Sequence, residues 1–340
     1  MSRWRLITFI GIFLACVAAA VIFIVRDTPP GSTETTNGEA ASPTVPLSDV
    51  ASGPHLVFRN TRRDDGFGKL SLVRLDDPSG PIATTDLSCE RVDFHVDRGV
   101  CLSANRGAVT SYATIVFDAQ FKVLSTTPLT GLPSRVRVSP DGHYGAYTTF
   151  VSGDSYATTN FSTRTQLLDL HSGESLGNLE QFEVIKDGSP FTAVDFNFWG
   201  VTFANDNNTF YATLGTGGHT YLVKGDLAGR QVTVLRDGVE CPSLSPDNKH
   251  IAYKKRVPGQ FGRIEWRLSV LDVDTLADHE LAETRNIDDQ ANWLDNDNVL
   301  YALPVADSGT PTDDTWAVPA DGSGAPRRVI PGAWSAGVVK

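Results

Sequence analysis

The sequence predicts an all-β chain: a six-bladed β-propeller preceded by a single N-terminal transmembrane helix. Three observations predict it. A hairpin turn recurs along the chain, a second strand pair alternates with it at blade-sized intervals, and a twenty-residue run without charge lies near the start. The recurring turn is clearest in Val136-Arg137-Val138-Ser139-Pro140-Asp141-Gly142-His143-Tyr144-Gly145-Ala146-Tyr147. Pro242-Ser243-Leu244-Ser245-Pro246-Asp247-Asn248-Lys249-His250-Ile251-Ala252-Tyr253 echoes it. Proline presets φ for a turn, and Asp-Gly or Asp-Asn tolerates the positive φ of a tight hairpin.

With the turn relaxed, five such hairpins are found, centred near Asp97, Asp141, Asp206, Asp247 and Asp297. The alternating element is strand, Asp or Gly turn, strand: Leu70–Ile82, Thr114–Leu124, Gln166–Leu176, Tyr221–Leu235, Leu268–Leu281 and Thr315–Ile330. Its turn aspartates, Asp76, Asp118, Asp169, Asp226, Asp272 and Asp321, are separated by 42, 51, 57, 46 and 49 residues. Four-stranded propeller blades repeat every 40–50 residues or so. Six outer hairpins against five inner ones leave one inner hairpin missing, and the chain ends supply it. His55-Leu56-Val57-Phe58 reads as a lone strand, and Ala333–Val339 resembles the strand that precedes the other turns. Their pairing closes the ring and removes two exposed edges. The rival architecture, a β-sandwich, is short for some 280 residues of strand-turn units.

The domain plan has three parts. Residues 1–26 form the anchor: Arg3-Trp4-Arg5 leads into Leu6–Val25, long enough at 1.5 Å per residue to span a bilayer core. Basic residues before the span favour a cytoplasmic N-terminus, with the propeller on the far side of the cell membrane. The alternatives are a signal peptide cleaved near Ala18-Ala19-Ala20 and a lipoprotein box at Phe13-Leu14-Ala15-Cys16. Residues 27–52, rich in Thr, Ser, Pro, Gly, Glu and Ala, read as a disordered stalk. Residues 53–340 form the propeller.

Charge narrows the partners. The chain carries net −11, and the portion after residue 26 holds 26 basic residues against 40 acidic ones. That balance argues against sequence-independent binding to nucleic acid. Of the four cysteines, Cys16 belongs to the span and Cys241 reads as a small buried residue. Cys89 and Cys101 lie across one hairpin in the exported domain, where a disulfide can persist. Their register is several residues out of opposition, so bridged and free states both stay open.

Signals for chemistry are sparse. No residues remain to build an α/β-hydrolase domain, and Gly153-Asp154-Ser155-Tyr156 and Gly322-Ser323-Gly324 fall where loops belong. The seven histidines (His55, His95, His143, His171, His219, His250, His279) lack metal-ligand spacing. Asx-rich turns such as Asn205–Asn208 and Asp295–Asn298 suit hairpins better than calcium. No cofactor is expected. Function is instead expected where the innermost strands begin, around one mouth of the central channel. That ring holds Glu90, Arg91, Arg135, Arg137, Asp195, Asn197, Glu240, Asp288, Asp289, Asn292 and Trp334. Mixed charges with one indole suit a polar ligand or a peptide, or else pair among themselves. The insertion Val151–Thr163 and the segment Gly177–Phe198 are further candidate contact surfaces, with Tyr156, Phe161, Phe191, Phe196, Phe198 and Trp199 as their aromatics.

At Ser139-Pro140-Asp141-Gly142 and Ser245-Pro246-Asp247-Asn248, the latter followed by Ile251-Ala252-Tyr253, the chain resembles the repeat of TolB-like propellers, also found in the propellers of prolyl oligopeptidases. The resemblance covers roughly residues 53–340 and implies six blades closed by terminal strand exchange. It departs at the N-terminus, where an anchor and stalk stand in place of TolB's α/β domain. It therefore implies the membrane-anchored form of high-GC Gram-positive bacteria. The function expected is a non-enzymatic, extracytoplasmic scaffold that engages cell-envelope proteins. The alternatives are a sensor of a small ligand, and a glycan-binding or hydrolysing propeller using Asp195 with Glu240.

Overall fold

In the computed structural model the described residues are Phe13, 43–151, 162–259, 262–306 and 312–340. Six sheets follow one another around a ring. Blade 1 orders its strands, from the centre outward, as β26 (Ala333–Val339), β1 (His55–Asn60), β2 (Lys69–Arg74) and β3 (Ala83–Ser88). Blade 2 is β4 (Arg91–His95), β5 (Arg98–Arg106), β6 (Thr110–Asp118) and β7 (Val123–Leu129). Blade 3 is β8 (Leu132–Val138), β9 (Tyr144–Val151), β10 (Ser162–Asp169) and β11 (Ser175–Asn178). In blade 4, β14 (Asn197–Phe203), β15 (Thr209–Thr216), β16 (His219–Asp226) and β17 (Gln231–Asp237) continue into β12 (Glu183–Lys186) and β13 (Ser189–Pro190). Blade 5 is β18 (Glu240–Leu244), β19 (His250–Pro258), β20 (Ile264–Asp272) and β21 (Asp278–Glu280). Blade 6 is β22 (Asn292–Trp293), β23 (Asn298–Pro304), β24 (Asp313–Pro319) and β25 (Arg327–Ile330).

The ring closes as the sequence predicts. β26 pairs antiparallel with β1, His55 opposite Val339 and Asn60 opposite Ala333, so the last strand is the innermost of the first blade. The recurring turn also has a shared chemistry. Ser139 Oγ donates to Asp141 Oδ1 (2.5 Å) and accepts from Tyr144 N (2.8 Å), while His143 N donates to Asp141 Oδ1. Ser245, Asp247, Lys249 and His250 repeat the same bonds. Gly142 (φ 77°) and Asn248 (φ 62°) occupy the left-handed position the turn requires. Between blades, apolar faces pack in contiguous clusters, such as Phe182, Phe198, Phe203 and Phe210 between blades 3 and 4.

Several expectations are corrected. Residues 43–52, expected within the stalk, lie on blade 1: Thr44 bridges Ile82, and a short helix α1 (Leu47–Ala51) buries Val50 against the blade. Val45, Leu47 and Val50 give this stretch an apolar face that its overall composition hides. The segment Gly177–Phe198 is less a free surface than an extension of blade 4, since β12 runs parallel to β17 and Phe198 is fully buried. Phe191 and Phe196 pack on the same cluster. The expected span Leu6–Val25, apart from Phe13, and most of the insertion, residues 152–161, lie outside the described residues. Among the described residues no helix is long and apolar enough to cross a membrane.

Cys89 and Cys101 are joined by a disulfide, Cα–Cα 5.4 Å. The ladder sets Val92 opposite Cys101, so Cys89 is out of register as expected. It reaches Cys101 because it stands just ahead of the strand, where the chain turns in from blade 1. Closing a loop of this size stabilises by roughly 3 kcal/mol in the chain-entropy treatment. Urea unfolding with and without reductant is expected to differ by about that amount, and equal midpoints would show that the bridge adds nothing.

Candidate functional site

The six innermost strands all run in one direction, so their starts ring one mouth of the channel and their ends ring the other. At the upper mouth, where they start, three of the expected residues meet. Arg91 Nη1 pairs with Asp289 Oδ1 (2.7 Å), and Trp334 Nε1 donates to Asp289 Oδ2 (2.8 Å). The Arg91 guanidinium lies 3.9 Å from the Trp334 ring centre, and Arg59 stands beside the same ring at 5.7 Å. Blades 1, 2 and 6 are thereby tied together by residues far apart in sequence. Burial opposes charge on Asp289, yet Arg91 and Arg135 hold its carboxyl below the usual carboxylate range.

Below this node the channel is cross-braced. Ser335 Oγ donates to Val92 O (3.0 Å), and Val138 N donates to Asp93 Oδ2 (2.8 Å). Gln290 Nε2 reaches Val201 O and Pro242 O, linking blade 6 to blades 4 and 5. Asn292 Nδ2 donates to Ala336 O, and Trp293 Nε1 to Ser243 O. The space left at this level is about 30 Å³, lined among others by Arg91, Asp93, Arg135, Arg137 and Asp289. That is room for one or two waters.

Arg135, Arg137 and Asn292 also line the channel, whereas Glu90, Asp195, Asn197, Glu240 and Asp288 find their partners off the ring. Glu90 pairs with Arg106 (2.8 Å) and faces Arg59 (3.7 Å). Glu240 is buried against Arg256 of its own blade, and Asp288 pairs with Lys254 (2.6 Å). Asp195 accepts from Thr216 Oγ1 and Gly217 N, while Asn197 accepts from Thr163 N. Arg137 sits deeper, Nη2 donating to Ala291 O (3.0 Å). Asp195 and Glu240, considered as a carboxylate pair for glycoside hydrolysis, are each held by partners of their own blade. Sequence reasoning missed Arg59, Asp93, Gln290 and Ser335. Asp93 was legible, since a period of two from Arg91 puts both on one face of β4.

A polar cavity of about 300 Å³ lies between blades 3 and 4, lined by Ser162, Arg164, Asn178, Glu180 and Asp195 among others. Glu180 accepts from Thr165 N (3.0 Å), and burial pushes its carboxyl up to about 7. One Gly-x-Ser-x-Gly string, Gly173-Glu174-Ser175-Leu176-Gly177, carries the pattern of a nucleophile elbow. Its last three residues open edge strand β11 instead, where Ser175 Oγ bonds Gln166 Nε2 and Gly177 N. An elbow needs strand, sharp turn and helix, which this segment does not form. Among the described residues no group of three or more His, Cys, Asp or Glu is placed to hold a metal ion.

Two outcomes are expected. Asp289→Asn leaves the buried Arg91 guanidinium without its carboxylate partner and should cost about 3–5 kcal/mol in urea unfolding; a loss under 1 kcal/mol would show that the node is not structural. Glu180 has a raised folded value, so its stabilising contribution is complete below about 4.5 and is lost as pH rises toward 7. Relative to Glu180→Gln, the wild type should lose roughly 3 kcal/mol across that interval. Parallel pH profiles would refute the assignment.

No family model matches the chain, and no curated protein matches it. Solved structures do. TolB from Acinetobacter baumannii superposes with TM-score 0.53 at 17% identity, over 84% of this chain and 66% of that one. A chain of the nidogen/laminin complex gives 0.54 at 12% identity, over 84% of this chain and 98% of that one. A puromycin-hydrolyzing peptidase of Mycobacterium tuberculosis gives 0.48 at 13%, over 81% and 43%. The chain is a six-bladed β-propeller of TolB-like fold.

Proposed function

We propose that the chain is a non-enzymatic binding scaffold, tethered to the cell membrane by Leu6–Val25 and presenting its propeller outside the cytoplasm to cell-envelope proteins. One observation carries the binding role. Large exposed apolar side chains gather on the upper face: Phe67 (47% exposed), Val109 (84%), Leu132 (53%), Val194 (81%) and Ile264 (54%). They lie in the loops and strand ends that surround the Arg91–Asp289–Trp334 node. Apolar side chains around a charged, aromatic centre are the make-up of a protein-binding face. The tightly braced channel beneath offers a partner a rigid surface with little room for a substrate. The same fold occurs in the nidogen/laminin complex, a protein–protein assembly. The Cys89–Cys101 disulfide suits an oxidising compartment.

The test is photocrosslinking in the native host from probes at Val109 and Ile264, with Leu124 on the outer edge of blade 2 as control. An envelope-protein adduct is expected from the two upper-face positions and not from Leu124, and the Ile264 adduct is expected to disappear in Val109→Glu. Indistinguishable adducts from all three positions, or none, would sink the proposal.

A further inference from the structure

The lower mouth, where the inner strands end, differs from the upper one. Beneath the Ser-Pro-Asp turns it opens into a cavity of about 260 Å³. Its walls are mainly apolar, with Phe203, Leu244, Trp293, Leu294 and Val338 among them, and Arg137 lines it too.

Arg137 is only 8% exposed. Its one hydrogen bond among the described residues is the one from Nη2 to Ala291 O, and Nε has no partner. No carboxylate among the described residues pairs with it. Asp93, on the neighbouring strand, is committed to Val138 N and faces His95 at 3.9 Å. The narrow cavity above is lined by three guanidiniums, Arg91, Arg135 and Arg137, against two carboxylates, Asp93 and Asp289. Asp289 is already shared by Arg91 and Trp334. A buried cation with open donors and no counter-ion is costly unless an anion reaches it. Lys340 stands at the same mouth, while Asp141 acts on His95 from the rim. Burial holds His95 below its usual value, so at neutral pH it offers a hydrogen bond rather than a second charge.

We propose that the lower mouth binds a carboxylate carried on an apolar body, the carboxylate on Arg137 and the apolar part against Leu244, Trp293 and Val338. Planar, forked donors suit a carboxylate, and the apolar walls select what carries it. The C-terminus of an apolar peptide and a short fatty acid share this chemistry. The site opens on the face opposite the one assigned to envelope proteins, so the two readings stand or fall separately.

Isothermal titration of the full-length chain with N-acetyl-Ala-Val-Leu, with its C-terminal amide, and with hexanoate tests the assignment. The free acid should bind at least about tenfold more tightly than the amide, because a charge-assisted contact is lost on amidation. Arg137→Gln should weaken the acid by a similar factor. If that variant fails to fold, Val96→Glu decides: Val96 is 64% exposed at the rim, and a carboxylate there should repel the ligand without disturbing the core. Hexanoate matching the tripeptide would assign a fatty acid, and a preference for the tripeptide would assign a peptide terminus. Equal binding of acid and amide, no binding by any probe, or an unchanged affinity in Val96→Glu would overturn the proposal.

Discussion

Everything in this molecule depends on one strand pairing, that of β26 with β1. A propeller blade is stable because its faces pack on two neighbours, and an open ring leaves the first and last blades each with one face in water. The pairing turns the last segment of the chain into the innermost strand of the first blade. It also delivers chemistry, for Trp334 and Ser335 enter the channel only as part of that strand. Trp334 then bonds Asp289 of blade 6, and Ser335 bonds Val92 of blade 2. The node at the upper mouth is thus a consequence of closure and a second lock on it.

The channel behaves as a polar core within an apolar ring. Between blades, burial of aliphatic and aromatic side chains supplies stability without direction. Along the axis six strand backbones converge, and their outer neighbours cannot satisfy every inward-facing group. Gln290, Asn292 and Trp293 answer this by donating to carbonyls of other blades. Such bonds fix the angular position of each blade, because a fully satisfied buried network tolerates little displacement. Rigidity at the axis therefore follows from the same satisfaction rule that governs any buried backbone.

Much of this was legible in the sequence. The Ser-Pro-Asp turns, the six outer hairpins and the closing strand rest on local chemistry, and local chemistry is what a single sequence exposes. Arg91, Asp289 and Trp334 were found because strand starts point to a mouth. Their partners were harder to assign, since pairing across a ring depends on which blade faces which. Glu90 and Glu240 look like channel residues by position, yet each finds an arginine nearby, Arg106 or Arg256, on the adjoining strand of its own blade. Arg59 escaped notice because it lies on the second strand of its blade and reaches inward over Trp334 by the length of its side chain. Residues 43–52 were misread because composition averages away the few apolar side chains, Val45, Leu47 and Val50, that dock them.

The two mouths follow from one geometric fact. With all inner strands parallel in direction, the upper rim is built from loops that cross between blades and from the hairpins joining second and third strands, both of varied length. The lower rim is built from tight hairpins of nearly fixed shape. Variable loops bring exposed apolar side chains such as Val109 and Ile264, together with the long side chains of Arg59 and Arg106, into a broad surface. Tight hairpins leave a narrow funnel whose character depends on the few residues at its floor. The upper mouth has two carboxylates, Glu90 and Asp289, to answer its arginines, and the floor of the lower one has Arg137 with a single carbonyl. Carboxylates that meet arginines above, and an arginine that meets only a carbonyl below, make the two ends of one channel chemically different, although the same six strands form both.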